Sequence, residues 1–365
     1  MLRLFELKYL FAYTAIGSAY LALYLGGWWS YVTILYAFIL IPLFEVVLEP
    51  ISANLSAEEE EQARENPFFD YLLWLNVPLQ WGLFVLFLYR VSAPGVPLYE
   101  LVGYTLSAGL TFGVGINIAH ELGHRHTWHE RLMSRLMLWH SLYMHFLNQH
   151  NNWHHRWVAT PKDPATSFYN QSLYAFWVKT IVGTWRTAWL LERERLERAG
   201  LAFWSFRNEM LWISALHILL VVTVFGLFGT TAGICFLFAA LGGVLLLETV
   251  NYIEHYGLQR KELKPGIYEP VKPHHSWNSD HVLGRILLYE LTRHSDHHFK
   301  ASRPYQVLRH FDQSPQLITG YPGSMLMALV PPLWFSVMNP RVEAFNRNLG
   351  SGMSTPHTQT ALATA

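Results

Sequence analysis

Six apolar blocks, near residues 8–27, 29–48, 70–91, 97–119, 208–228 and 231–253, constrain what this chain can fold into. Each carries few or no charges, and a helix rising ~1.5 Å per residue needs about 20 apolar residues to cross a ~30 Å hydrocarbon core. Lipid offers no partner to a backbone amide, so spanning blocks of this kind are helices. They fall into three pairs. Gly26-Gly27 separates the first two, Ser92-Ala93-Pro94-Gly95 turns the second pair, and the last two blocks almost touch. The expected fold class is all-α and integral to a membrane: six transmembrane helices with a cytoplasmic helical cap. The overall hydrophobic fraction, 52%, is only modestly above a soluble average, so the blocks decide the class and the average does not. Fifteen Trp and 19 Tyr suit aromatic belts at two membrane interfaces.

The rest of the chain is organised around these blocks. Residues 49–69, with the run Glu58–Glu61, read as a solvated connector. Two long polar stretches, 120–207 and 254–345, follow the fourth and sixth blocks. Residues 1–350 form one expected membrane-embedded domain, and 351–365, rich in Ser, Thr and Ala, an expected disordered tail. Residues 131–147 are apolar but carry Arg131, Arg135, His140 and His145, which suits an interfacial or domain-core helix. Residues 323–338 are short and interrupted by Pro331-Pro332, which suits a re-entrant or interfacial piece. The start, MLRLFELKYL, lacks a small-residue cleavage site, so a retained first span is expected. Net charge is zero, which gives no electrostatic case for nucleic acid. The lone Cys235 excludes a disulfide framework or a four-cysteine iron site within the chain. With the amino terminus inside, Arg90 is the one Lys or Arg beside an outer loop, whereas Arg125, Arg131, Arg135, Arg156, Arg193, Arg195 and Arg198 fall inside. The positive-inside rule then puts both termini and both polar stretches in the cytoplasm.

Nine histidines are grouped in those polar stretches: His120 and His124 in HELGH, His150, His154 and His155 in HNNWHH, His255 in NYIEHYG, and His294, His297 and His298 in HSDHH. Spacings of three and four place imidazoles on one helix face, and all four groups fall on one side of the membrane. One zinc takes four ligands, so nine imidazoles suit two metals. Imidazole-rich sites with open positions suit oxygen-activating iron, although nitrogen ligation alone also admits zinc or copper. HELGH also matches the zinc-protease pattern, with Glu121 as general base, but that reading leaves the other clusters idle. Glu121, Asp163, Glu254 and Asp296 are candidates to hold the far nitrogens of ligating imidazoles. Glu248, seven residues before His255, could approach the site from below, and Glu45 could snorkel. His126, His129, His140, His145, His310 and His357 read as structural, and His217 as a buried hydrogen-bonding residue or part of a cavity lining; His274, His275 and His281, in KPHHSWNSDH, read as hydrogen-bonding residues that could line the site or bind a partner.

HELGHR, HNNWHHR with ATPKDPATS, NYIEHYGL, PHHSWNS and RHSDHH together resemble the integral-membrane alkane 1-monooxygenases, in that family's order and over about residues 8–345. One departure is Gln149-His150-Asn151-Asn152-Trp153, where the family more often has an acidic residue before the first histidine and Lys/Arg-Gly before the pair. The resemblance implies two non-haem iron ions on the nine histidines and O₂ as co-substrate. It further implies terminal hydroxylation of medium-chain n-alkanes, and electrons from rubredoxin, itself reduced by an NAD(P)H-dependent reductase. It implies a multi-pass protein of the bacterial inner membrane, in contact with lipid. Membrane acyl desaturases and hydroxylases share the broader histidine pattern and remain an alternative. A non-catalytic metal transporter would need more polar residues along the spans.

Overall fold

The computed structural model describes residues 4–348, with side-chain surroundings from residue 6; the tail at 351–365 lies outside the described residues. Helices form nearly all of the regular structure. The one sheet among the described residues is a small antiparallel hairpin, Glu262–Lys264 against Ile267–Tyr268. Four helical stretches are long and apolar enough to cross a membrane: Gly27–Val47, Phe68–Ser92, Leu98–Gly123 and Glu209–His255. The last consists of two helices meeting at Gly229, whose φ of 80° is a backbone conformation glycine enters without a steric cost. This break falls where the last two apolar blocks meet. At the first block a 3-10 turn, Lys8–Ala12, leads into the helix Tyr13–Leu25.

The Leu98–Gly123 helix forms the centre of the molecule and packs against the second half of Glu209–His255. Lipid-embedded helices gain nothing from leaving water, so close van der Waals approach must hold them together. Glycines permit it. A Cβ at Gly113 would stand 3.1 Å from the Gly243 carbonyl oxygen, and one at Gly243 would stand 2.8 Å from Phe112 Cβ and 3.0 Å from Gly113 N. His120 lies in the last turn of one helix and His255 ends the other, so their contact sets how near the two imidazoles come.

A second set of contacts fixes the segment ahead of His294. Tyr289 and Glu290 both have positive φ, 52° and 56°. Each such residue costs of order 1–3 kcal/mol and persists only where its surroundings over-determine it. They do so here. Arg285 Nε donates to Glu290 at 2.7 Å, Tyr9 Oη donates to it at 2.6 Å, and Asn76 Nδ2 donates to Tyr289 Oη at 2.9 Å. Asn117 Nδ2 also donates to the Leu288 carbonyl at 2.9 Å.

Two local expectations are corrected. The 49–69 connector contains the helix Ala57–Glu65, opened by a capping box of Ser56 and Glu59. Its Glu60 is buried and pairs with Arg64 and Arg309, because the 303–310 segment folds over it. Glu45 does not snorkel: it is buried and accepts from Gly284 N at 2.8 Å, a backbone donor within the protein. The apolar stretch 323–338 is interrupted as expected: Tyr321–Ala328 ends ahead of Pro331-Pro332, which begin a second helix, Pro331–Asn348. Missing N–H groups cost nothing in a first turn.

Candidate metal centre

Four elements carry the nine histidines to one place. The Leu98–Gly123 helix brings His120, and its cap residue is His124. His150 to His154 form a π turn between two short helices, which keeps His150 and His154 on the inner side and lets His155 approach from the next turn. His255 ends the long apolar element. The short helix His294–Phe299 supplies His294, His297 and His298.

Their ring nitrogens converge in two groups. His120, His124, His150, His155 and His297 form one; His154, His255, His294 and His298 form the other; within each, the ligand atoms all lie within 4.8 Å of one another. In the group of five, Nε2 separations are 2.9 Å for His120–His297, 2.9 Å for His150–His155, 3.1 Å for His155–His297 and 3.2 Å for His124–His155. In the group of four they are 3.2 Å for His154–His298 and 3.3 Å for His255–His294. Two nitrogens each ~2.1 Å from one ion at right angles are ~3.0 Å apart, so this donor set fits a metal. The groups differ in exposure. All four members of the second are buried, whereas His124 and His155 give the first a half-exposed edge.

Burial also sets the charge. It pulls His124 down to about 4, with further lowering by His154 and Arg125. It holds His150, His155, His294, His297 and His298 well below the ordinary imidazole value, and neighbouring histidines add to the effect. Near neutrality these rings are uncharged, as ligands must be.

The four carboxylates named from sequence meet different fates. Asp163 Oδ2 lies 2.8 Å from His154 Nδ1 and accepts from Thr166 Oγ1 at 2.7 Å. Burial alone would raise its pKa, but His154 and these hydrogen bonds outweigh it and hold the carboxyl below its usual range. Glu254 approaches from the metal-facing side, its Oε2 3.2 Å from His294 Nε2, while Tyr321 Oη donates to its Oε1 at 2.8 Å. Glu121 pairs with Arg125 at 3.1 Å and accepts from Tyr305 N at 3.3 Å, away from any imidazole, which is no position for a general base. Asp296 binds Arg303 and accepts from Arg309 N at 2.8 Å, closing the 303–309 segment over the site. Glu248 is buried one level below, accepting from Tyr143 at 2.7 Å, Thr180 at 2.8 Å and Asn251 at 3.1 Å.

Sequence reading missed two supports. Lys179 Nζ donates to the Thr166 carbonyl at 2.5 Å and lies over the Phe168 ring, behind Asp163. Burial pulls it down to about 7 against the opposing pull of Asp163. A lone lysine in the apolar run AFWVKTIVG was the signal for it. The second is Glu269, which joins His274 and His275, expected as hydrogen-bonding residues, in a further convergent trio. Its members already have internal partners: Lys272 N donates to His275 Nδ1, His275 Nε2 is 3.4 Å from Glu269, and Lys272 Nζ is 3.0 Å from Glu269. The trio acts as a clamp on the Pro273–His275 turn, whose following residue Ser276 has its Oγ 3.5 Å from His255 Nδ1.

Other histidines are structural. His140 is buried, 3.0 Å from Ser141 Oγ and packed on Phe112. His217 accepts from Met144 N, and His145 packs between Tyr143 and Trp185. His281 bonds Ser279, and His310 pairs with Asp280. His126 is exposed and His129 is near Trp74; His357 lies outside the described residues.

Comparison with known proteins points the same way as the geometry. The fatty acid desaturase family profile matches residues 96–314. An alkane 1-monooxygenase of Pseudomonas putida is 39% identical over 302 residues, covering 83% of this chain and 75% of the relative. Alkane 1-monooxygenase 1 of Alcanivorax borkumensis is 38% identical over 341 residues, 93% of this chain and 84% of its own length. More distant is the xylene/toluene monooxygenase hydroxylase component XylM of Pseudomonas putida, 29% identical over 340 residues, 91% of this chain and 87% of that protein.

Proposed function

We propose that this chain, which belongs to the membrane alkane 1-monooxygenase family, hydroxylates the terminal methyl of medium-chain n-alkanes at two iron ions held by the nine histidines. The convergence of nine imidazoles into groups of five and four is the observation that carries this reading. His120, His124, His150, His155 and His297 would hold one ion, and His154, His255, His294 and His298 the other. Bound iron would supply O₂ activation there.

The chain's own residues do the rest. An apolar cavity lies between the spans, lined by Ile41, Leu110, Val114, Leu246, Val250 and Leu291, with Asn117 and Tyr321 at its polar limit. Asn117 precedes His120 by one turn, Val250 precedes His255 and Leu291 precedes His294, so the cavity ends beneath ligands of both groups. An alkane dissolved in the bilayer can enter such a lining without losing hydration. A narrow cavity offers one methyl first, which yields terminal selectivity through orientation. The apolar walls also keep water from the reacting carbon.

Inserting one oxygen atom of O₂ into a C–H bond leaves the other to become water, which takes two electrons and two protons from outside. His124 and His155 form the half-exposed edge where electrons can enter. Exposed Arg156, Lys162 and Lys300 belong to the segments that carry His155 and His298. They suit an acidic donor such as rubredoxin, fed by an NAD(P)H-dependent reductase; complementary charge would speed encounter more than it tightens binding. We further propose six spans within one domain over 1–350. Both termini and the site would face the cytoplasm of an inner membrane, a topology that leaves Arg90 as the one basic residue beside an outer loop.

The desaturase profile favours acyl desaturation or hydroxylation as the second reading. Purified protein supplied with rubredoxin, its reductase, NAD(P)H and O₂ separates the two. Conversion of octane to 1-octanol, with no product from acyl-lipid or acyl-thioester, supports the proposal. The reverse pattern replaces it.

A further inference from the structure

The Leu173–Arg198 helix turns two different faces to its surroundings. At 26 residues it is ~39 Å long at ~1.5 Å per residue. Its inner face is tied to both ends of one element. Trp177 Nε1 donates to Thr249 Oγ1 at 3.1 Å near the finish of Glu209–His255, and Glu192 accepts from Glu209 N at 2.6 Å at its start. That element breaks at Gly229 into two helices, and the 173–198 helix reaches the outer end of each.

Its outer face is apolar. Tyr174, Val178, Val182 and Trp185 recur at four- and three-residue steps, and all four are exposed, Val178 by 68%. The path continues through ring contacts: Trp185 to Trp189 at 6.0 Å, Trp189 to Phe203 at 5.8 Å and Phe203 to Trp204 at 5.1 Å. Trp204 and Phe206 are 80% and 89% exposed. An apolar face of this extent does not stay in water.

Charge and continuity identify what covers it. Arg193, Arg195 and Arg198 pair with glutamates of their own helix. Arg186, next to Trp185, and Arg207, next to Phe206, are exposed with no ion-pair partner among the described residues. Phe206 also meets Trp212, which begins an exposed line of Trp212, Leu219 and Val222 on a helix apolar enough to span a membrane. The outer face thus continues a lipid-facing flank at headgroup level. Aromatic side chains with flanking arginines are the composition that seats in an anionic interface. We propose that the 173–198 helix and the 203–207 loop form a seat for anionic phospholipid, with Trp185 and Trp204 at acyl-boundary depth and Arg186 and Arg207 on lipid phosphates. A second copy of the chain fits less well, since a self-complementary contact would bring unpaired arginines together.

The test uses full-length protein in nanodiscs of phosphatidylcholine and phosphatidylglycerol, with one lipid at a time carrying dibrominated acyl chains. The emission lost in the Trp185→Phe/Trp204→Phe double variant isolates the two reporters. They should be quenched at least threefold more strongly by brominated phosphatidylglycerol than by brominated phosphatidylcholine at equal content. Arg186→Gln/Arg207→Gln should remove that preference and leave the quenching itself. Equal quenching by the two lipids overturns the anionic seat. No quenching at these positions, or copy-to-copy crosslinking through them, overturns the lipid seat altogether. The remaining tryptophans report embedding of the spans, so either failure is distinguishable from failure of the membrane reading.

Discussion

Asp163→Asn should loosen one metal and leave the other in place. Asp163 is the carboxylate nearest the far nitrogen of a proposed ligand, 2.8 Å from His154 Nδ1, and it also accepts from Thr166 Oγ1 and Ala165 N. Asparagine preserves size and an acceptor oxygen but removes the charge. A hydrogen bond to a charged group contributes about 1.5–3 kcal/mol and a neutral one about 0.5–1.5 kcal/mol, so the loss is about 1–1.5 kcal/mol. That corresponds to roughly tenfold weaker binding, the lower end of the ~10–100-fold typical when an outer partner of a metal ligand is lost. The assay is iron retained per chain across a chelator titration, with thermal unfolding as the control for folding. One of two irons should leave at roughly tenfold lower chelator, because Asp163 touches only the group of His154, His255, His294 and His298. Unchanged retention, or equal loosening of both irons, would refute the reasoning.

Glu290→Gln should destabilise the fold by about 3–5 kcal/mol, the usual effect of breaking a buried ion pair; here it leaves Arg285 without its charge partner beside two left-handed residues, and a denaturation midpoint measures it. Gly243→Val should lower thermal stability, equivalent to about 1–3 kcal/mol of overpacking, and reduce bound iron by separating His120 from His255. Gly242→Ala is the control, because its Cβ would meet nothing closer than 3.7 Å. Stability should also depend on pH. The site imidazoles outside the spans have folded pKa values below the ordinary 6.5, with His124 at about 4, so the unfolded chain binds more protons as pH falls. Their contribution should be complete above about pH 6.5 and lost toward about pH 4, read from unfolding midpoints across that range.

The apolar blocks were legible because membrane helices must satisfy their own backbone within a length fixed by lipid thickness, and even the break at Gly229 falls where the block pattern changes. The histidines were legible as groups because helical spacing brings i, i+3 and i+4 side chains to one face. How they divide into five and four was not. His154 and His155 are neighbours in sequence yet join different groups, since a π turn and its exit send adjacent side chains to opposite sides. Glu45, Glu60, Lys179 and Glu269 were misread or overlooked for a related reason. Their partners, Gly284, Arg309, Thr166 and His275, come from other segments in three of the four cases, and local sequence carries no mark of such pairings. Lys179 is the partial exception, because a charge inside an apolar run already asks for a partner.

Metal analysis of paired variants tests the nine-histidine, two-iron account most directly. Purified protein should hold two irons per chain by elemental analysis, with a nitrogen-dominated shell in X-ray absorption. His124→Ala should lose the iron of the group of five and keep the other, and His255→Ala should do the opposite. One metal per chain, zinc in place of iron, or full iron content and turnover in His255→Ala would contradict the account.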